Sequence, residues 1–184
     1  MRLVLLFSLF FSSLSFAVVP AQMQDAEKFI ANLSTTLAQL NKTSPVPVLF
    51  PEKILADKAH KQYFAGSDAY VAQNNRGYQI YVDYAANCQG AHYCNVGYIR
   101  GEKDAKPKLQ QNRQHQSITQ KVSLAENTTG FYTPGHAEGS YFPPILQWQK
   151  NNVLYTLSWD DHFTSKTALM DMANSAITIG SHSN

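Results

Sequence analysis

The stretch Tyr78–Glu102, "YQIYVDYAANCQGAHYCNVGYIRGE", decides the reading of the fold. Tyr78, Ile80, Val82 and Tyr84 alternate with Gln79, Tyr81 and Asp83, the period of two that a strand with one buried face requires. Val96 to Arg100 reads as the return strand, so Cys88 to Cys94 closes a hairpin, with Gly90 supplying backbone freedom in the tight loop. These are the two cysteines of a 184-residue chain. Their C-x5-C spacing fits neither the C-x-x-C of redox sites nor a zinc knuckle, which needs four ligands. A structural disulfide between Cys88 and Cys94 is therefore expected, provided that the chain meets an oxidising compartment.

The first residues predict that it does. Met1-Arg2 gives a positive start, Leu3–Phe11 ("LVLLFSLFF") an apolar run, and Ser15-Phe16-Ala17 a small-residue ending. That order is the pattern of a secretory signal peptide over residues 1–17, with cleavage expected after Ala17. A membrane anchor needs about 20 apolar residues, and Ser12, Ser13 and Ser15 cut this run short. Residues 18–184 are expected to form a single α+β domain without a transmembrane segment, periplasmic or secreted. The formal charge of the whole chain is +2, and one less without Arg2. So small an excess gives no reason to expect nucleic acid as a partner.

Outward from the hairpin, Phe29, Ile30, Leu33, Leu37 and Leu40 recur at helical spacing and predict a helix over about Met23 to Asn41. "SPVPVLFP" follows, with prolines at 45, 47 and 51, and reads as an extended connector. Asn74 to Gly77 is turn chemistry. Residues 102–116 are polar and read as a solvated loop. Ile118, Gln120, Val122 and Leu124 resume the two-residue period, and "GFYTPG" begins another strand. "ILQWQK", Asn151-Asn152 and "VLYTLSW" form a clear antiparallel hairpin. A last helix, capped by Thr164 or Ser165, shows Leu169, Met172, Ala173 and Ile177 on one face, with Gly180 as its expected end. The expected architecture is an antiparallel sheet of about six strands packed against an N-terminal and a C-terminal helix.

The C-terminal hairpin and helix resemble a bacterial extracytoplasmic domain of unknown function carried by anti-sigma-like regulators. Trp148 in one strand, Tyr155 and Leu157 in its partner, and Ala173 with Ser175 in the helix carry that resemblance over about 30 residues. The cysteine-capped hairpin is similar to one in exported, uncharacterised bacterial proteins. Both resemblances imply an envelope or secreted protein that senses or binds, and neither brings a catalytic residue with it.

No nucleophile elbow, zinc-protease helix, phosphate loop or dinucleotide fingerprint is present in the sequence. No cofactor and no metal are expected. His92 and Tyr93 stand at the tip of the stapled loop, where an aromatic anchor would lose little freedom on binding, although Tyr93 folded back onto the sheet fits equally. His136 and Glu138, two apart in "PGHAEGSYFPP", are candidate binding residues, an acid/base pair or plain solvated side chains. "WDDHF" around Asp160 reads as a turn before the last helix. Arg100, Lys103, Lys106, Lys108, Arg113 and Lys121 give the polar stretch a basic character, suited to lipid phosphate or an acidic glycan, or simply to solvation. The expected function is a non-catalytic exported domain binding a protein or envelope component near the cysteine-capped hairpin. Two alternatives are a small hydrolase using His136, Glu138 and His92, and a secreted inhibitor of another enzyme.

Overall fold

A computed structural model describes residues 22–56, 68–85, 88–89, 91, 94–111, 118–135, 142–160 and 164–182. In chain order these form β1 (Gln22–Asp25), a 3-10 turn at Ala26–Lys28, α1 (Leu33–Thr43), β2 (Lys53–Ala56), β3 (Asp68–Asn74) and β4 (Gly77–Asp83). Then come β5 (Asn95–Lys103), β6 (Gln120–Ser123), β7 (Thr129–Thr133), β8 (Ile145–Lys150), β9 (Val153–Trp159) and α2 (Lys166–His182). Among the described residues the main sheet has seven antiparallel strands in the order β3-β4-β5-β9-β8-β7-β6, while β1 and β2 pair separately. Two meanders thus meet at β5 and β9. The fold is the expected α+β, with β3 as a seventh strand whose sequence, "DAYVAQN", alternates too weakly to announce itself.

The β5–β9 junction is built on missing side chains. Gly97 lies opposite Trp159, and Gly101 opposite both Tyr78 and Tyr155. A Cβ on Gly97 would stand 2.5 Å from the Trp159 ring, and one on Gly101 2.7 Å from the Tyr78 ring. The glycines leave room for large rings to lie across the strand, and those rings form the middle of the core with Ile80, Ile99 and Leu157.

The same rings hold the proline-rich connector. An extended segment outside a sheet has no ladder partners, so its buried backbone groups need others. The Tyr78 hydroxyl accepts from the Leu49 N–H at 2.8 Å and donates to the Leu49 carbonyl at 3.0 Å. Tyr155 donates to the Pro47 carbonyl and Trp159 Nε1 to that of Leu55. Burial pushes the Tyr78 phenol well above its usual range and that of Tyr155 up to about 12, so both act as neutral donors.

α2 seats Leu169, Met172, Ala173, Ala176 and Ile177 on this core, and the Ser165 hydroxyl caps it by accepting from the Ala168 N–H. The helix does not stop at Gly180 but runs to His182. α1 also departs from expectation, because it begins at Leu33, ten residues late. Met23 to Asp25 instead pair with Leu55 to Lys53, Ala26 donates to the Glu52 carbonyl, and Lys53 bonds Asp25. Strand pairing at a distance overrode a helical period. α1 lies along the edge strand β3, where the Asn32 side chain both accepts from and donates to the Ala69 backbone, as a neighbouring strand would.

Cys88 and Cys94 are joined, as the spacing and an oxidising destination led us to expect, with Cα atoms 6.3 Å apart. Beside them β4 and β5 slip by one residue, and Asn95 Nδ2 lies within 3.1 Å of the Val82 and Gly97 carbonyls and the Asp83 carboxylate. The sequence does not betray this bulge. Replacing both cysteines with serine is expected to cost about 2 kcal/mol, the entropy of a short closed loop. A thermal midpoint unchanged in oxidising buffer would show that the bridge constrains nothing.

Candidate functional site

His92, Tyr93, His136 and Glu138 lie outside the described residues, as do Arg113, Asp161 and His162. Asp160 is described and serves structure: its carboxylate accepts from the Tyr84 hydroxyl at 3.2 Å, and its N–H donates to the Val96 carbonyl. Among the described residues no group of three or more His, Cys, Asp or Glu is placed to hold a metal ion, and no helix is long and apolar enough to cross a membrane.

The sheet face turned away from α2 gathers the polar alternates of the strands. Strand register sets Tyr70, Tyr81, Tyr98, Ser158 and Ile145 in one row, and Gln79, Arg100, Thr156 and Gln147 in the next. Successive tyrosine rings of the first row are 6.0 and 6.2 Å apart. Desolvation raises the Tyr98 phenol above its usual range, against a hydrogen bond from the Ser158 side chain that acts the other way.

Over β9 this outer face is not solvated. Ser158 is 1% exposed and Leu154 5%, because the chain leaving β5 folds back across them. Glu102 and Lys103 still belong to β5, so the basic loop starts at Asp104, two residues later than expected. The Lys108 N–H donates to Gln147 Oε1 at 3.0 Å, Gln149 Nε2 to the Ala105 carbonyl at 3.0 Å, and the Gln110 N–H to Thr119 Oγ1 at 2.9 Å. Gln147 in turn donates to Thr156. Residues 105–110 are therefore a strap tied to the sheet, where a free loop was expected.

Between strap and sheet lies a cavity of about 420 Å³. Its floor is Tyr98, Thr133, Gln147, Leu154 and Thr156, and its rim carries Arg76, Arg100, Lys106 and Lys108 against one acid, Glu102. Glu102 bridges the two arginines, with Oε1 3.3 Å from Arg76 Nη2 and Oε2 in an ion pair with Arg100. Lys106 and Lys108 make no ion pair among the described residues. Four cations on an uncharged, hydrogen-bonding floor form a site for an anion.

Of the basic residues singled out in the sequence, Arg100, Lys106 and Lys108 converge here. Lys103 and Lys121 do not line the cavity. Arg76 was hidden inside the turn Asn74–Gly77, and only the hairpin register, Gly77 opposite Glu102, puts it beside the other cations. A larger cavity of about 660 Å³ lies between Asp25, Leu33, Phe50, Lys53 and Ile179. Its rim cancels its own charge: Lys28 and Lys53 both bond Asp25 and hold that carboxyl down to about 2. It offers no comparable field. The Cys88–Cys94 bridge joins the far ends of β4 and β5, the opposite end from Arg76 and Glu102.

No protein-family model, curated protein or solved structure matches the chain.

Proposed function

We propose that the protein is an exported, non-catalytic binding domain, periplasmic or secreted, that takes an anionic component of the bacterial envelope in the cavity beneath the strap. The export half of this reading is supported by the leader pattern of residues 1–17 and by the disulfide. The binding half is carried by one observation: two lysines without ion pairs among the described residues and two arginines sharing one carboxylate, all on one cavity. Cations held together in this way repel one another, and an anion relieves that repulsion. The hydroxyl and amide groups of the floor suit a ligand that also carries hydroxyls, and the volume suits about one or two sugar units. An acidic saccharide combines these features.

Titration calorimetry with digalacturonate and with the neutral disaccharide cellobiose tests the reading. Digalacturonate is expected to bind with an affinity that falls as salt rises, and cellobiose to show no heat. Equal binding of the two sugars, or none of the acidic one, overturns it.

A further inference from the structure

The proposal concerns Glu102 and rests on the anionic-ligand reading above. Glu102 lies on the outer face of β5, opposite Gly77, which has no side chain to cover it. Its carboxylate gives one oxygen to Arg76 and the other to Arg100, a single nitrogen of each guanidinium being engaged. The arginine side chains are 59% and 45% exposed and that of Glu102 21%, so the acid sits deeper than the cations that grip it. The rim thus holds a seat for two oxygens on one centre, and the chain's own carboxylate fills it. A terminal carboxylate or a phosphate monoester presents the same two-oxygen edge to a pair of guanidinium groups.

We propose that Glu102 is a built-in competitor. Its carboxylate occupies the two-arginine seat, and the ligand's carboxylate or phosphate binds by displacing it. Lys106 and Lys108 then offer the displaced acid, or a second charge on the ligand, a cation without an ion pair among the described residues. The site is weakened by design, with affinity held down until an oxyanion of the right shape arrives. The opposite role, an acid that merely positions the arginines, predicts the opposite sign for its removal.

Glu102→Gln keeps the size of the side chain and removes its charge. Wild type, E102Q and the double variant R76Q/R100Q are each titrated with glucuronate and with inorganic phosphate, after a check that each melts cooperatively. E102Q is expected to bind about tenfold tighter than wild type, since one negative charge has left the immediate neighbourhood of the ligand. R76Q/R100Q is expected to bind at least tenfold more weakly than wild type. Tightening for glucuronate alone assigns the seat to carboxylates, and for phosphate alone to phosphate esters. E102Q binding as wild type does, or more weakly, overturns the competitor while leaving the anion site standing. Wild type and E102Q both failing with both probes overturns the two readings together. If E102Q does not melt cooperatively, E102A is titrated in its place under the same criteria.

Discussion

Gly77→Ala is expected to cost about 4 kcal/mol, the larger part of the stability of many domains of this size. The position is buried at the start of β4, and its backbone angles are open to any residue; the obstacle is space. A Cβ there would stand 1.9 Å from the Gly101 carbonyl oxygen and 2.9 Å from its carbon. Those atoms belong to the central strand β5, which is pinned on its other side by β9. A side chain can rotate out of the way, whereas a paired backbone has to move as a strand. Relief requires β4 and β5 to part near Gly77 and Glu102, which adds about 1 kcal/mol for each ladder bond lost to the roughly 1–3 kcal/mol of overpacking. Gly101→Ala meets the Tyr78 ring instead, at 2.7 Å, and is expected to cost less. Chemical denaturation of the two variants ranks them. A loss below about 1 kcal/mol at Gly77 would show that β5 slides freely against its neighbours.

The glycines also show what the sequence could and could not reveal. The β8–β9 hairpin was legible in full, because its apolar alternation brackets Asn151-Asn152, both found at the positive φ that a two-residue hairpin turn demands. α2 was legible for the same kind of reason: one face of five apolar residues at helical spacing, with a serine before it. What failed was inference from polarity to exposure. Thr156 and Ser158 alternate with Tyr155, Leu157 and Trp159 as solvent-facing residues should, yet both are buried beneath the strap. Nothing local announces that a polar segment 40 to 50 residues earlier in the chain will lie over them. The first turns of the predicted N-terminal helix failed likewise, because Met23 to Asp25 find strand partners some 30 residues away.

The site was half legible. A run of lysines marked the strap, but charge alone leaves a solvated loop and a binding rim indistinguishable. The distinction rests on three hydrogen bonds, from the Lys108 and Gln110 N–H groups and from Gln149, that depend on tertiary placement. Arg76 gave no signal in a turn rich in asparagine, and Glu102 counted only as a balancing charge until its position between two arginines was known.

Reversing the strap's charge is the most direct demand on the anion site. Lys106→Glu with Lys108→Glu is expected to weaken digalacturonate binding about a hundredfold. Each substitution changes an attraction into a repulsion, a swing of two charges. At about 7 Å in a partly hydrated cavity that amounts to about 1.5 kcal/mol per residue, or about 3 kcal/mol for the pair. Folding should scarcely notice, within about 0.5 kcal/mol, because both side chains are exposed and the strap is tied down through the Lys108 N–H, which the substitution keeps. Lys42→Glu, on an exposed position of α1 that does not line the cavity, carries the same kind of change in net charge and should leave the affinity near wild type. Raising salt should bring the double variant and wild type together, since screening weakens the attraction in one and the repulsion in the other. If Lys42→Glu lowers the affinity as far as the strap variant does, the ligand responds to overall charge and the cavity has no special claim on it.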